Sequence, residues 1–286
     1  MEKSNCDVVW ECSNDPNAVS VKITKEGNWV QNFLLISDAH FDSAHCDVKL
    51  LESLMNQAVD TGSPILIFGD WYDAMQSRED RRRSKDDLKE EYKVGYYVDE
   101  LVDRSASFLM KYKDSIVMIA EGNHDTAIKK HLESDIVRRL CRELDCIHMG
   151  YSCFMRFYFV HPSGGHRAHK DMYYHHGAGG GAIVTKGTMR AQRERSDFTA
   201  DVYVGGHIHE GWRLQGTRTQ LSASGKIVTY DTLHLSIPTL KNEWDPRAGY
   251  HVEQGRSPRP IGGMWLQFFH NIRKYDRIGF DALKAD

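Results

Sequence analysis

Five apolar runs in this chain each end abruptly in side chains able to ligate a metal ion. They read LLIS-DAH, ILIFG-DWYD, MIAEG-NHD, MYY-HHG and VYVGG-HIH, and they lie between residues 34 and 209. A short apolar run without polar alternation reads as a strand buried on both faces. In open α/β sheets, ligand sites form just beyond the carboxyl ends of the strands. Five such ends brought to one edge would gather Asp, His and Asn side chains from distant parts of the chain. The fold must therefore be a sheet architecture that aligns them.

The segments between the runs supply the remaining elements. Residues 19–36 predict a hairpin, AVSVKI and WVQNFLLI, around a turn at Lys25–Asn28. Val48, Leu51, Met55 and Ala58 have helical spacing, closed by Gly62. The polar stretch SREDRRRSKDDLKEEYK is an exposed helix or an insertion before a helix carrying Val98, Leu101, Val102, Phe108, Leu109 and Tyr112. One helix is expected through Ile128, Leu132, Ile136, Leu140 and Leu144. CFMRFYFV and DMYYHH are strand-like, as are the short runs KIVTY and LHLSI, and MWLQFF is expected to be the last strand. Strands alternating with helices argue for a mixed α/β sheet architecture. No linker or repeat divides residues 1–286, so one domain is expected, with its core motifs at 33–210 and C-terminal strands and an Arg/Pro/Gly loop at 226–270.

Composition narrows the classes. The chain has 286 residues, 41% hydrophobic and 27% charged, proportions of an ordinary globular protein. A formal charge of −3 does not point to nucleic acid, although it leaves room for a local basic groove. The six cysteines form no CxxC pair, no apolar window approaches a membrane span, and no secretory h-region opens the sequence. Reduced thiols and a cytoplasmic location are the expectation.

Imidazoles, carboxylates and an amide without thiolates suit Mn²⁺, Fe or Zn²⁺, with Ni²⁺ also compatible and Mn²⁺ the expected ion. The ligands are too many for one tetrahedral ion. Two ions sharing a carboxylate fit the number, an arrangement suited to phosphoryl displacement.

In order, DAH (38–40), GDWYD (69–73), GNHD (122–125), His176 and GHIH (206–209) resemble the DxH…GDxxD…GNH[DE]…H…GHxH pattern of the calcineurin-like metallophosphoesterases. The resemblance implies an αββα sandwich, two mixed β-sheets flanked by helices, with a dimetal site at the strand C-terminal ends. It implies Asp38, His40 and His209 on one ion, Asn123, His176 and His207 on the other, and Asp70 bridging them. A bridging hydroxide would attack phosphorus in line. His124 would bind a non-bridging oxygen or protonate the leaving group, Asp125 would orient His124 or tune its pKa, and Asp73 would hold a ligand histidine. The substrate would be a phosphate mono- or diester, of a small molecule or nucleotide; DNA or RNA, as for the nucleases of the family, is the alternative, and a non-catalytic scaffold a third. The segments SDAHFDSAHCD, YYHHGAGGG and GYHVEQGRSPRPIGG resemble a phage and bacterial subgroup, which would place the protein in a host cytoplasm.

Plainer readings compete at several positions. Asp38, Asp70 and Asp125 could each cap a helix. His175 competes with His176. The loop 177–181, with Gly179 and Gly180, could cradle phosphate or simply turn. Arg256 and Arg259 are candidate substrate contacts. Arg81–Arg83, Lys85, Arg190, Arg193 and Arg195 read as solvated faces. His45, His148, His166, His169, His234 and His251 read as surface or loop histidines.

Overall fold

The computed structural model describes residues 2–74, 87–164, 167–179, 184–222, 224–244, 252, 255 and 257–286. Arg81–Arg83, Lys85, His166, Gly180, His251 and Arg256 lie outside the described residues.

The strands are β1 (Asp7–Cys12), β2 (Ala18–Thr24), β3 (Val30–Ser37), β4 (Ile65–Phe68), β5 (Ile116–Ala120), β6 (Ile147–Met149), β7 (Ser152–Val160), β8 (Arg167–His175), β9 (Val202–Gly205), β10 (Trp212–Leu221), β11 (Ile227–Ser236), β12 (Gly263–His270) and β13 (Ile278–Ala285). The helices are α1 (Val48–Asp60), α2 (Tyr97–Leu109), α3 (Asn123–Leu132), α4 (Ile136–Leu144) and α5 (Thr188–Asp197). One sheet runs β13-β12-β3-β4-β5-β6 and the other β1-β2-β7-β8-β9-β11-β10. Both mix parallel and antiparallel pairs.

Period-two alternation explains the uniformly apolar strands. On β3 and β4, Phe33, Leu35, Leu66 and Phe68 pack between the sheets, against Phe157, Phe159, Met172 and Val204 of the seven-stranded sheet. Leu34, Ile36, Ile65 and Ile67 face the other way, onto Leu51, Met55, Leu101 and Leu140 of the helices. α5 lies against the seven-stranded sheet: Arg190 donates to the His175 and His176 carbonyls at the end of β8, and Arg195 to the Thr217 carbonyl of β10. Helices, two mixed sheets and a helix layer form the expected sandwich. It brings the C-terminal ends of β3, β4 and β5 from one sheet against those of β8 and β9 from the other. The five ends therefore meet across two sheets, and not along one edge.

Several expectations are corrected. Residues 19–36 form no hairpin: β2 pairs with β1 and β7, while β3 pairs with β12 and β4. The chain crosses between sheets at residues 25–29 because every residue of β3 is buried and needs cover on both faces. The helix expected through Ile128 and Leu144 is two helices, since Glu133 takes a left-handed φ of 53° and Asp135 caps α4 by accepting from the Arg138 N–H. KIVTY and LHLSI are one strand, β11. MWLQFF is not the last strand; β13 follows it.

Candidate metal centre

The backbone is contorted where the motifs sit. Asp38, His40, Asp70, His207 and His209 all adopt positive φ, between 46° and 71°. Each such non-glycine residue costs about 1–2 kcal/mol, and strain of this kind collects at functional sites. Cross-links between the loops hold it: the Asp38 N–H donates to the Gly69 carbonyl at 3.0 Å, and the His40 N–H to the Asp70 carbonyl at 3.1 Å. Two motif glycines permit close approach. A Cβ on Gly122 would overlap the backbone and carboxylate of Asp70, and one on Gly206 would overlap Ser37 Oγ and the Asp38 carboxylate.

Two groups of donors result. In the first, His209 Nε2 lies 3.4 Å from Asp38 Oδ1 and 3.3 Å from His40 Nε2. Asp38 is fixed by Ser37 Oγ, which donates at 2.5 Å, and by the His207 N–H, 3.0 Å from both carboxylate oxygens. In the second, His176 Nε2 lies 3.1 Å from Asp70 Oδ2 and 3.2 Å from Asn123 Oδ1, and His207 Nδ1 lies 2.6 Å from the same amide oxygen. Asp70 is shared, grouping with His176 and His207 on one side and with His40 and His124 on the other. Its Oδ1 accepts the His124 N–H at 2.8 Å.

The plainer alternatives sort by position. Neither Asp38 nor Asp70 is the residue that opens a helix, a place Asp47 takes on α1, but the Asp70 carboxylate reaches across to a donor in the first turn of α3, the His124 N–H. Asp125 does serve the start of α3. Its carboxylate accepts the N–H groups of Gly122 and Asp70, both at 2.8 Å, and of Tyr72 at 3.3 Å. The His124 ring is held by the Asp73 carbonyl, 2.6 Å from Nδ1, and not by a hydrogen bond from Asp125. The Asp73 carboxylate lies 2.9 Å from His40 Nδ1. His176, fully buried, brings its ring to Asp70, and Tyr174 Oη lies 3.2 Å from its other nitrogen. Both histidine rings lie against Tyr151, and among the described residues His175 joins none of the donor groups.

Burial opposes the charge of Asp70, yet His176 and His124 beside it hold its carboxyl well below the usual range. Asp38, likewise buried, is held at about 2 by the His209 hydrogen bond and by His176. Burial alone would lower His176, but Asp70 beside it lifts it to about 9. Asp125 is pushed up to about 7, by burial first and by Asp70 second.

Outside the cluster, Gly179 is exposed with φ 72°. Arg259 pairs with Glu210, the residue after His209. Three basic or histidine positions differ from their expected surface roles. Arg190 lies under the ends of β8 and β9: it donates to the His175 and His176 carbonyls, and a Cβ on Gly205 would strike it. His234 is buried and stacks on Tyr203, ring centroids 4.3 Å apart. His148 is half-buried on β6, 3.1 Å from Glu121.

Two polar residues were not expected from any motif. Asp42, fully buried, accepts the Asp73 N–H at 2.6 Å and the Ala74 N–H at 3.1 Å, pinning the GDWYD loop. Lys241, 4% exposed, donates to Asp73 at 2.9 Å. Asp42 follows DAH closely enough to have been suspected; Lys241 follows an apolar run with no signal.

The donor set fits divalent cations. Asn123 Oδ1 faces the nitrogen atoms of His176 and His207, and turning the amide would instead aim its NH₂ at these nitrogens and at Asp70. Lone pairs converging in this way are what a cation requires, and the donors are the N/O mixture of Mn²⁺, Fe or Zn²⁺.

The family comparison agrees. A family model described as calcineurin-like phosphoesterase matches residues 32–211. No curated protein matches the chain. Among solved structures, a Streptococcus pneumoniae protein described as a predicted phosphoesterase shares 11% identity at a TM-score of 0.34, covering 90% of this chain and 91% of that one. A metallophosphoesterase from Sphaerobacter thermophilus shares 12% identity at a TM-score of 0.35, with 90% of each chain covered. The chain belongs to the calcineurin-like phosphoesterase family and is a metal-dependent phosphoester hydrolase.

Proposed function

We propose that the site is dinuclear and hydrolyses phosphate mono- or diesters of small molecules or nucleotides. Asp38, His40 and His209 would hold one ion, Asn123, His176 and His207 the other, and Asp70 would serve both. The observation that carries this is the membership of Asp70 in two overlapping donor groups, with a third group, Asp38, His40 and His209, sharing His40 with one of them. Bound there, two divalent cations, Mn²⁺ being the expected ones, would acidify water and offset charge on phosphoryl oxygens.

The chain's own groups supply orientation and protons. His124 keeps Nδ1 on the Asp73 carbonyl at 2.6 Å, which leaves Nε2 for the substrate. To protonate a leaving oxygen, His124 must carry a proton on that Nε2 as well. Burial lowers its pKa from the ordinary 6.5, and the Asp70 carboxylate opposes that shift. A bound phosphate anion adds to the opposition and favours the acid form. Tyr174 beside His176 and Asp73 beside His40 fix the rotation of those rings. Arg259 would reach a substrate only by leaving Glu210.

The test is a Mn²⁺-reconstituted activity panel: p-nitrophenyl phosphate, bis-p-nitrophenyl phosphate, cyclic nucleotides, and single- and double-stranded DNA and RNA. Turnover of the small esters supports the proposal. Turnover confined to DNA or RNA selects the nuclease reading, and no turnover on any of them overturns both.

A further inference from the structure

Lys241 is a lysine in a place where lysines are rare. It is 4% exposed, and its ammonium lies 2.9 Å from Asp73 Oδ1 and 2.9 Å from Glu243 Oε1. Both carboxylates stand behind histidines of the same donor group. Asp73 Oδ1 is also 2.9 Å from His40 Nδ1, and Glu243 is 3.9 Å from His209 Nδ1. One buried cation thus joins the two acidic groups that back His40 and His209. The side chain rises from a fixed platform. Thr239 Oγ1 and the Leu240 N–H both donate to the Asp38 carbonyl, at 2.8 and 3.1 Å, and Lys241 forms a bridge with Cys46. The segment 239–241 is therefore tied to the loop that carries Asp38 and His40.

We propose that Lys241 is a positioning residue for the ion held by Asp38, His40 and His209, an inference that rests on the dinuclear reading. Two carboxylates within reach of one ammonium repel each other when it is removed, and each backs a ring whose rotation sets a ligand lone pair. Lys241 holds Asp73 and Glu243 in place, and through them it holds the His40 and His209 rings. Among the described residues, Lys241 and Asp73 make no side-chain hydrogen bond or ion pair to His176, His207 or Asn123, and Asp70 joins this chain of bonds through its backbone carbonyl, which accepts the His40 N–H, and not through its carboxylate. The effect is accordingly confined to one of the two ions.

The experiment is a Mn²⁺ titration of metal-free protein by calorimetry, comparing the wild type with Lys241→Met, Lys241→Gln and Lys241→Arg. A His176→Ala background identifies which binding step belongs to the Asp38 group. The expected result is a loss of about 10- to 100-fold in affinity for that step in the Met and Gln variants. The other step stays unchanged, and Arg recovers most of the loss. Equal weakening of both steps marks a merely structural role and overturns the proposal, as does an unchanged first step. Uptake of a single ion by the wild type refutes the dinuclear reading alone. The Lys241 inference is then decided by whether that one step weakens in Lys241→Met and recovers in Lys241→Arg.

Discussion

Replacing Asp125 by alanine takes the acceptor away from three buried backbone donors at once. Oδ2 receives the N–H groups of Asp70 and Gly122, each at 2.8 Å, and Oδ1 receives that of Tyr72 at 3.3 Å. Each orphaned buried donor costs about 1–3 kcal/mol, so Asp125→Ala should lose about 5 kcal/mol. That is a large share of the roughly 5–15 kcal/mol that holds a typical domain together. Asp125→Asn is milder. Its carbonyl oxygen can take the Oδ2 position and keep two bonds, leaving the Tyr72 N–H facing an NH₂ group, a cost of about 1–3 kcal/mol. Removing the charge also relieves repulsion with Asp70, which offsets part of this. Urea denaturation of the metal-free proteins at pH 8, where the carboxyl with its pKa of about 7 is ionised, reads both numbers. Equal stabilities for the Asn and Ala variants would refute the reasoning, particularly if the pH profile of turnover shifts instead. That outcome would return Asp125 to the role of tuning His124.

Three further expectations follow from the same geometry. His124→Ala should keep the metal content while turnover falls by about 10²- to 10⁴-fold; unchanged turnover would remove His124 from proton transfer. His234, lowered to about 4 by burial and then by Arg195, is neutral in the fold where an unfolded chain near its ordinary 6.5 takes a proton. Stability should therefore fall as pH drops from 6.5 to 4, by about 2 kcal/mol after allowance for partial solvent access, and His234→Phe should flatten that limb in denaturation curves. Gly122→Ala should displace Asp70 and weaken Mn²⁺ binding in a calorimetric titration; wild-type affinity would show that the loop can yield.

The strand ends were legible because β3, β4 and β5 are buried on both faces, which leaves uninterrupted apolar runs that stop where the ligand-type residues begin. The division into two sheets was not. Nothing local distinguishes β2 and β3 as a hairpin from two strands that turn to different partners. β10 was missed because its residues are mostly exposed, without an apolar alternation. The break at Glu133 is hidden by Leu132 and Ile136 keeping helical spacing across it. Within the site, motif residues declared themselves by type and order. Their supports did not: Lys241 and Arg190 act through backbone and carboxylate partners far away in sequence, and a lone basic residue carries no mark of being buried.

The central claim is tested most directly by counting ions. After Mn²⁺ reconstitution and gel filtration, elemental analysis should find about two ions per chain, with one lost in His209→Ala and one in His176→Ala. A single ion in the wild type, or a full complement retained by both variants, would contradict the account.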